Sequence, residues 1–109
     1  MLNTIEEATM KFAQDIQKTE VYHDYRNSLD IIKKDPELYE KVNEYRLKNF
    51  ELQTTEPADG LLDKIDCLEQ EYEAIIEKTV VSDFLSAEIS FCRMMQDINK
   101  CITLALDFE

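Results

Sequence analysis

Hydrophobic and polar positions alternate along the last part of the chain with the period of a helix. Apolar side chains recur there at steps of three and four, at Leu85, Ile89, Cys92, Met95, Ile98, Ile102 and Leu106. Steps of this size place side chains on one face of an α-helix. The pattern therefore predicts a long amphipathic C-terminal helix, which opens at residues 80–85.

Two central segments predict a helical hairpin. Asp35 is a favoured N-cap residue and Pro36 a favoured first helical residue, so a helix is expected to begin there. A loop at residues 54–60 holds the single glycine and a proline. Beyond it, apolar residues follow a heptad register at Leu61, Ile65, Leu68, Tyr72 and Ile75. The two helices, at about residues 36–53 and 60–78, are expected to pack antiparallel.

The N-terminal segment predicts helical structure in one or two pieces. A first helix is expected to begin near Leu2 to Thr4, with Asn3 or Thr4 as its N-cap. Its apolar stripe consists of Ile5, Ala8, Phe12, Ala13 and Ile16. Thr19 is a candidate for a second cap, so residues 18–20 form either a kink or a helix break.

Residues 21–25 and 80–84 share a pattern of valine, aspartate and an aromatic residue at an offset of 59 positions. One interpretation is that two helix starts use the same capping and packing residues. The other is a vestigial duplication that gives a pseudo-symmetric bundle. Both interpretations place a helix start at each copy.

The composition supports an all-α fold and narrows the possible functions. One glycine and two prolines in 109 residues are too few for a turn-rich β protein. We therefore expect a single helical domain over residues 1–109, built as a bundle from the hairpin and the terminal helices. The net charge of -12 repels phosphate backbones, which excludes direct nucleic-acid binding as an expected function. Three scattered cysteines and the lack of a long apolar run predict a cytoplasmic protein without a signal peptide or a membrane span.

The sequence offers little catalytic or metal-binding chemistry. Glu20 and His23 have the Glu-x-x-His spacing of carboxylate-bridged metal bundles, but His23 is the single histidine, so only a dimer could complete such a site. Cys92 and Cys101 fall on opposite faces of one helix, and Cys67 and Cys92 are expected to fill small spaces in the core. We expect no catalytic residue, no cofactor and no metal, with the Glu20 and His23 site as the alternative.

The apolar surface of the C-terminal helix is wider than one neighbouring helix covers. Met94 and Met95 widen it together with Phe91 and Phe84. Core packing is one interpretation, and a surface for a second protein is the other. The candidate interface residues are Phe84, Leu85, Phe91, Met94, Met95, Ile98 and Ile102.

These landmarks resemble the YlbF/YmcA/YheA family of small bacterial helical proteins. The resemblance rests on residues 22–26 (Tyr-His-Asp-Tyr-Arg), the boundary at residues 35–38, the helix start at residues 80–85 and the ending at residues 96–102. It covers essentially the whole chain and is closest to the YheA-like branch. The resemblance implies an all-helical protein that self-associates, with family members that influence RNA processing, competence, sporulation and biofilm formation.

The sequence and the resemblance together predict a regulatory or scaffolding protein without enzymatic activity. It is expected to form a homodimer through the helix from Phe84 to Leu106, with the first helix as a second candidate for the interface. It is also expected to contact other proteins, among which paralogous family members are candidates. The alternative function is a metal-binding helical bundle assembled across a dimer.

Overall fold

The structure is a computed structural model that describes residues 3–107, and within them it contains six helices and no strand. This confirms the predicted all-α fold class. The helices are α1 (Thr4–Gln17), α2 (Glu20–Lys33), α3 (Pro36–Thr55), α4 (Ala58–Glu71), α5 (Glu73–Ile76) and α6 (Thr79–Ala105).

The helices are distributed over two compact units. The hairpin unit comprises residues 29–84, with α3, α4, α5, the end of α2 and the start of α6. The terminal unit comprises the described residues up to 28 and from 85 onward, with α1, the start of α2 and most of α6. The single-domain boundaries stay a prediction.

The N-terminal helices are separated by a true break. Asn3 caps α1, since its Oδ1 accepts a hydrogen bond from the Glu6 backbone N–H at 2.8 Å. The sequence also allows α1 to begin at Leu2, which lies outside the described residues. Thr19 lies at the break between α1 and α2. Its Oγ1 donates a hydrogen bond to the Ile16 carbonyl at 2.7 Å and accepts one from the Tyr22 backbone N–H at 3.2 Å. The hydroxyl thus stabilises the end of α1 and the start of α2 together.

The predicted boundary at Asp35 and Pro36 is confirmed. The Asp35 Oδ1 accepts a hydrogen bond from the Leu38 backbone N–H at 3.2 Å, and Pro36 is the first residue of α3. Both copies of the repeated pattern also follow helix starts, because α2 and α6 each begin one residue before them. Capping side chains thus mark the starts of α2 and α3.

The second arm of the hairpin differs from its prediction in two places. The connection is only Glu56 and Pro57, so Gly60 lies inside α4 and not in the loop. The arm is also not continuous from 60 to 78, because it breaks at Tyr72, which has φ -104° and ψ 15°. Tyr72 is buried there against the ring of Tyr45, with 5.6 Å between ring centroids. A heptad pattern cannot indicate such a break, since it records only the face on which the residues lie.

Every residue that is buried among the described residues belongs to the hairpin unit. This core consists of Leu29, Ile32, Val42, Leu68, Tyr72, Val81 and Phe84. Phe84 contacts Tyr39 edge-to-face at 6.5 Å between centroids, and the Arg46 guanidinium lies 5.4 Å from the Phe84 ring. Four helices therefore converge on one apolar centre in this unit.

The cysteines do not fill the core, which corrects the sequence interpretation. Cys67, Cys92 and Cys101 are all exposed free thiols. Cys67 is adjacent to buried Leu68, but one residue rotates a side chain by about 100° around a helix. A small apolar residue next to a core position can therefore face solvent.

We predict that Asp35→Ala lowers the free energy of unfolding by about 0.5–2 kcal/mol, because it removes the cap of α3. Urea denaturation followed by circular dichroism would measure this. Glu51→Ala, on an exposed part of the same helix, is the control and should change stability little. Equal, negligible effects of both variants would show that the cap does not contribute.

We predict that Gly60→Ala raises the free energy of unfolding by about 0.4–1 kcal/mol, because alanine restricts the unfolded chain and favours the helix. A Cβ at this position meets no atom within 4 Å, and Gly60 does not have a positive φ. The same urea titration applies. A loss of stability would mean that Gly60 is not helical in solution.

Candidate interaction surface

The apolar stripe of α6 begins in a core and ends in solvent. Phe84 is only 1% exposed in the hairpin unit. Further along the same face, within the terminal unit, the Phe91 ring stacks on Tyr25 with 5.0 Å between centroids and an interplanar angle of 14°. Tyr22 lies beside it at 5.8 Å. The start of α2 therefore covers the stripe around Phe91.

Beyond Phe91 this cover decreases. Met94, Met95 and Ile98 are half-buried, and Ile102 is 48% exposed. No described residue of the terminal unit is buried, although α6 continues to Ala105. The stripe is therefore longer than the part of the unit that covers it.

The first helix also presents an uncovered apolar face. None of the residues of α1 is buried, and Ile5 and Phe12 are 74% and 42% exposed. The sequence interpretation names the first helix as a second candidate for the dimer interface, without specific residues. The structure adds that the apolar stripe of α1 contains no buried residue.

The structure separates the predicted interface residues into two groups. For Phe84 the structure favours the core-packing interpretation, since this residue is only 1% exposed in the core of the hairpin unit. The others lie half-buried or exposed in the terminal unit: Leu85, Phe91, Met94, Met95, Ile98 and Ile102. Leu85 lies on a different side of α6, about 100° from Phe84. For these six residues the interface stays a prediction.

Glu20 and His23 lie in the first turn of α2, and both are exposed. The His23 ring meets the edge of Tyr22 at 6.4 Å between centroids. Within residues 3–107, no three histidine, cysteine, aspartate or glutamate side chains converge as metal ligands. A metal at Glu20 and His23 would thus depend on a second copy, as the sequence indicates.

The hairpin unit contains an acidic groove of about 450 Å³. Tyr45 and Ile76 line it together with four carboxylates, Asp66, Glu69, Glu73 and Glu77. Burial and the charge of Glu69 raise the pKa of the Tyr45 hydroxyl. The four carboxylates make the groove attractive to a positively charged group.

None of the helices in the described part of the chain combines the length and the apolar character that crossing a membrane requires.

A family model described as "Control of competence regulator ComK, YlbF/YmcA" matches residues 5–107, which is nearly the whole chain. The chain belongs to this family. The resemblance inferred from the sequence motifs is thereby confirmed at the family level, whereas the YheA-like branch stays a prediction. The family description refers to regulation and not to a chemical reaction.

Two relatives are similar to this chain over nearly its whole length. A UPF0342 protein of Desulfitobacterium hafniense is 27% identical over 105 residues, which cover 94% of this chain and 85% of the relative. A UPF0342 protein of Caldicellulosiruptor bescii is 21% identical over 110 residues, which cover 99% of this chain and 92% of the relative. No solved structure matches the chain.

Proposed function

We propose that this family member is a cytoplasmic regulatory or scaffolding protein without enzymatic activity, which works as a homodimer formed through its terminal unit. One observation carries the proposal: the terminal unit has two amphipathic helices and not one buried residue among those described. Membership of a family described by control of a competence regulator supports the regulatory part.

The energetic argument concerns the apolar side chains on α1 and on the end of α6. Burial of a large aliphatic or aromatic side chain contributes about 1.5–3 kcal/mol. The terminal unit leaves Ile5, Phe12 and Ile102 largely exposed. A second protein that covers these residues therefore gains free energy that the isolated unit cannot obtain.

The charge distribution favours a second copy as that protein. The described residues of the terminal unit, 3–28 and 85–107, hold 8 Asp and Glu against 5 Lys and Arg. Residues 36–77 of the hairpin unit hold 12 Asp and Glu against 4 Lys and Arg. Two copies thus repel each other least where their terminal units meet. A two-fold dimer would cover the same face on both copies.

Paralogous family members are a second class of partner under this proposal, since they would share the helical stripes. The regulated process would be one of those that the family resemblance implies, namely RNA processing, competence, sporulation or biofilm formation. The chain would act on such a process through protein contacts.

We predict that Ile102→Glu converts the dimer into a monomer, because it places a charge on the apolar stripe. Light scattering at micromolar concentration would show the mass falling to the chain's 12.8 kDa. Substitution of Met94 and Met95 by charged residues is expected to act in the same way.

Leu104→Glu is the matched control. Leu104 is also exposed, but it lies two residues from Ile102 and hence about 200° around α6. It should leave the dimer intact. A monomeric wild-type protein would refute the proposed dimer, and a dimer disrupted by Leu104→Glu alone would place the interface on another face.

We predict that the protein does not bind RNA directly. Affinity for nucleic acid derives largely from clustered Lys and Arg that neutralise phosphates, and here 12 basic residues face 24 acidic ones. Electrophoretic mobility shifts at about 150 mM salt should remain absent for the wild-type protein. Sub-micromolar RNA binding by a pure sample would contradict the charge argument.

A further inference from the structure

The exposed side of α3 carries a further apolar patch, which lies in the hairpin unit and not in the terminal unit. Leu47 is 59% exposed and Phe50 is 64% exposed. The two residues are three positions apart, so they are neighbours on the helix surface. Both lie in the hairpin unit, whose core is completed by other residues. The internal packing of this unit therefore does not account for them.

Acidic side chains flank this patch along the helix. Glu40 precedes Leu47 by seven residues and Glu51 follows it by four, so all three lie on the same side of α3. Both glutamates are exposed, and neither forms an ion pair within the described part of the chain. We call Glu40, Leu47, Phe50 and Glu51 the α3 face.

The basic residues of the hairpin arms are engaged elsewhere. Lys41 pairs with Glu44 at 3.8 Å, Lys48 with Glu71 at 3.7 Å and Lys64 with Glu56 at 2.6 Å. Arg46 donates to Asn43 at 2.7 Å and lies over the Phe84 ring. A hydrogen bond with the Tyr72 side chain raises the pKa of Lys48, and the carboxylates of Glu71 and Glu44 act in the same direction. The carboxylates of the α3 face thus remain uncompensated.

We propose that the α3 face binds a basic amphipathic helix of another protein. Apolar residues of that helix would cover Leu47 and Phe50, and lysine or arginine residues beside its apolar stripe would pair with Glu40 and Glu51. The α3 helix has 20 residues and is therefore about 30 Å long, which is enough to pack along several turns of a partner helix. This inference rests on the proposed function as a protein that acts by contact, and it specifies the chemistry of the partner.

The negative charge of the α3 face argues against three other partners: a second copy of this chain, a nucleic acid and an anionic membrane. A second copy would bring its own excess of carboxylates against Glu40 and Glu51, in a segment with 12 acidic and 4 basic residues. The surfaces of nucleic acids and of anionic membranes are negative and would be repelled in the same way. A positively charged partner removes this repulsion and gains the apolar contact as well.

A labelled synthetic peptide tests the proposal directly. The probe is an amphipathic helix of about 20 residues, since shorter isolated helices are marginal in water, with leucine on one face and lysine on the other. Fluorescence anisotropy should show that it binds the full-length wild-type protein and that binding weakens as salt increases. A peptide with glutamate in place of lysine, and vesicles of anionic lipid, should not bind.

Substitutions locate the binding on the α3 face. The double variant Leu47→Gln/Phe50→Gln should weaken peptide binding about tenfold or more, as loss of a central apolar contact does. Leu62→Gln removes an exposed leucine from α4 of the same unit and should leave binding unchanged. All these side chains are exposed, and unchanged circular dichroism spectra would establish that the variants fold.

Two charge variants distinguish the effect of the charges on the α3 face from the effect of the protein's net charge. Glu40→Lys/Glu51→Lys should weaken binding and reduce its salt dependence. Asp59→Lys/Asp63→Lys changes the net charge by the same amount on exposed positions of α4 and should have a much smaller effect. The proposal would be overturned if the two pairs of variants had equal effects or if the wild-type protein did not bind the basic peptide. Binding of the acidic peptide or of the vesicles would also overturn it.

Light scattering of the same variants distinguishes this inference from the proposed dimer. The variants of the α3 face should keep the oligomeric state of the wild-type protein, while Ile102→Glu should change that state and still bind the peptide. If the Leu47→Gln/Phe50→Gln variant dissociates the wild-type assembly, the α3 face is a self-association surface and the basic partner is refuted. A monomeric wild-type protein that binds the peptide would refute the dimer alone.

Discussion

The structure depends on the burial of seven apolar side chains in one unit. Residues from α2, α3, α4 and α6 meet there, with Phe84 and Val42 nearly or fully buried. This core anchors the end of α2 and the start of α6, both of which continue outside it. No described residue outside residues 29–84 is buried. The terminal unit therefore packs only through partly exposed contacts, such as those of Phe91 with Tyr22 and Tyr25.

All buried residues described lie in the hairpin unit and none in the terminal unit, and this difference connects the fold to the proposed function. Helices without tertiary packing are marginally stable in water, and amphipathic ones gain most from a neighbour that covers their apolar face. The terminal unit presents two such faces, and the hairpin unit presents a smaller one on α3. The apolar faces differ in the charge around them, so under our proposals the nearly balanced terminal unit pairs with its copy and the acidic α3 face takes a basic partner.

The errors of the sequence interpretation share one cause. The sequence leaves core packing and an interface as alternatives for Phe84, and it places Cys67 and Cys92 in the core because cysteine is often buried. Phe84 is buried and both cysteines are exposed. Periodicity groups residues by face, but it does not indicate which part of a face another element covers.

The sequence by itself determined the features that short-range interactions control. The scarcity of glycine and proline, the cap at Asp35 and the stripe from Leu85 to Leu106 were sufficient for the all-α class and for the starts of α3 and α6. The family followed from the resemblance of the motifs at residues 22–26, 35–38, 80–85 and 96–102. The tertiary structure decided the break at Tyr72, the division into two units and the uncovered state of α1. Capping and helix propensity act within a few residues, whereas burial depends on contacts between segments that are distant in the chain.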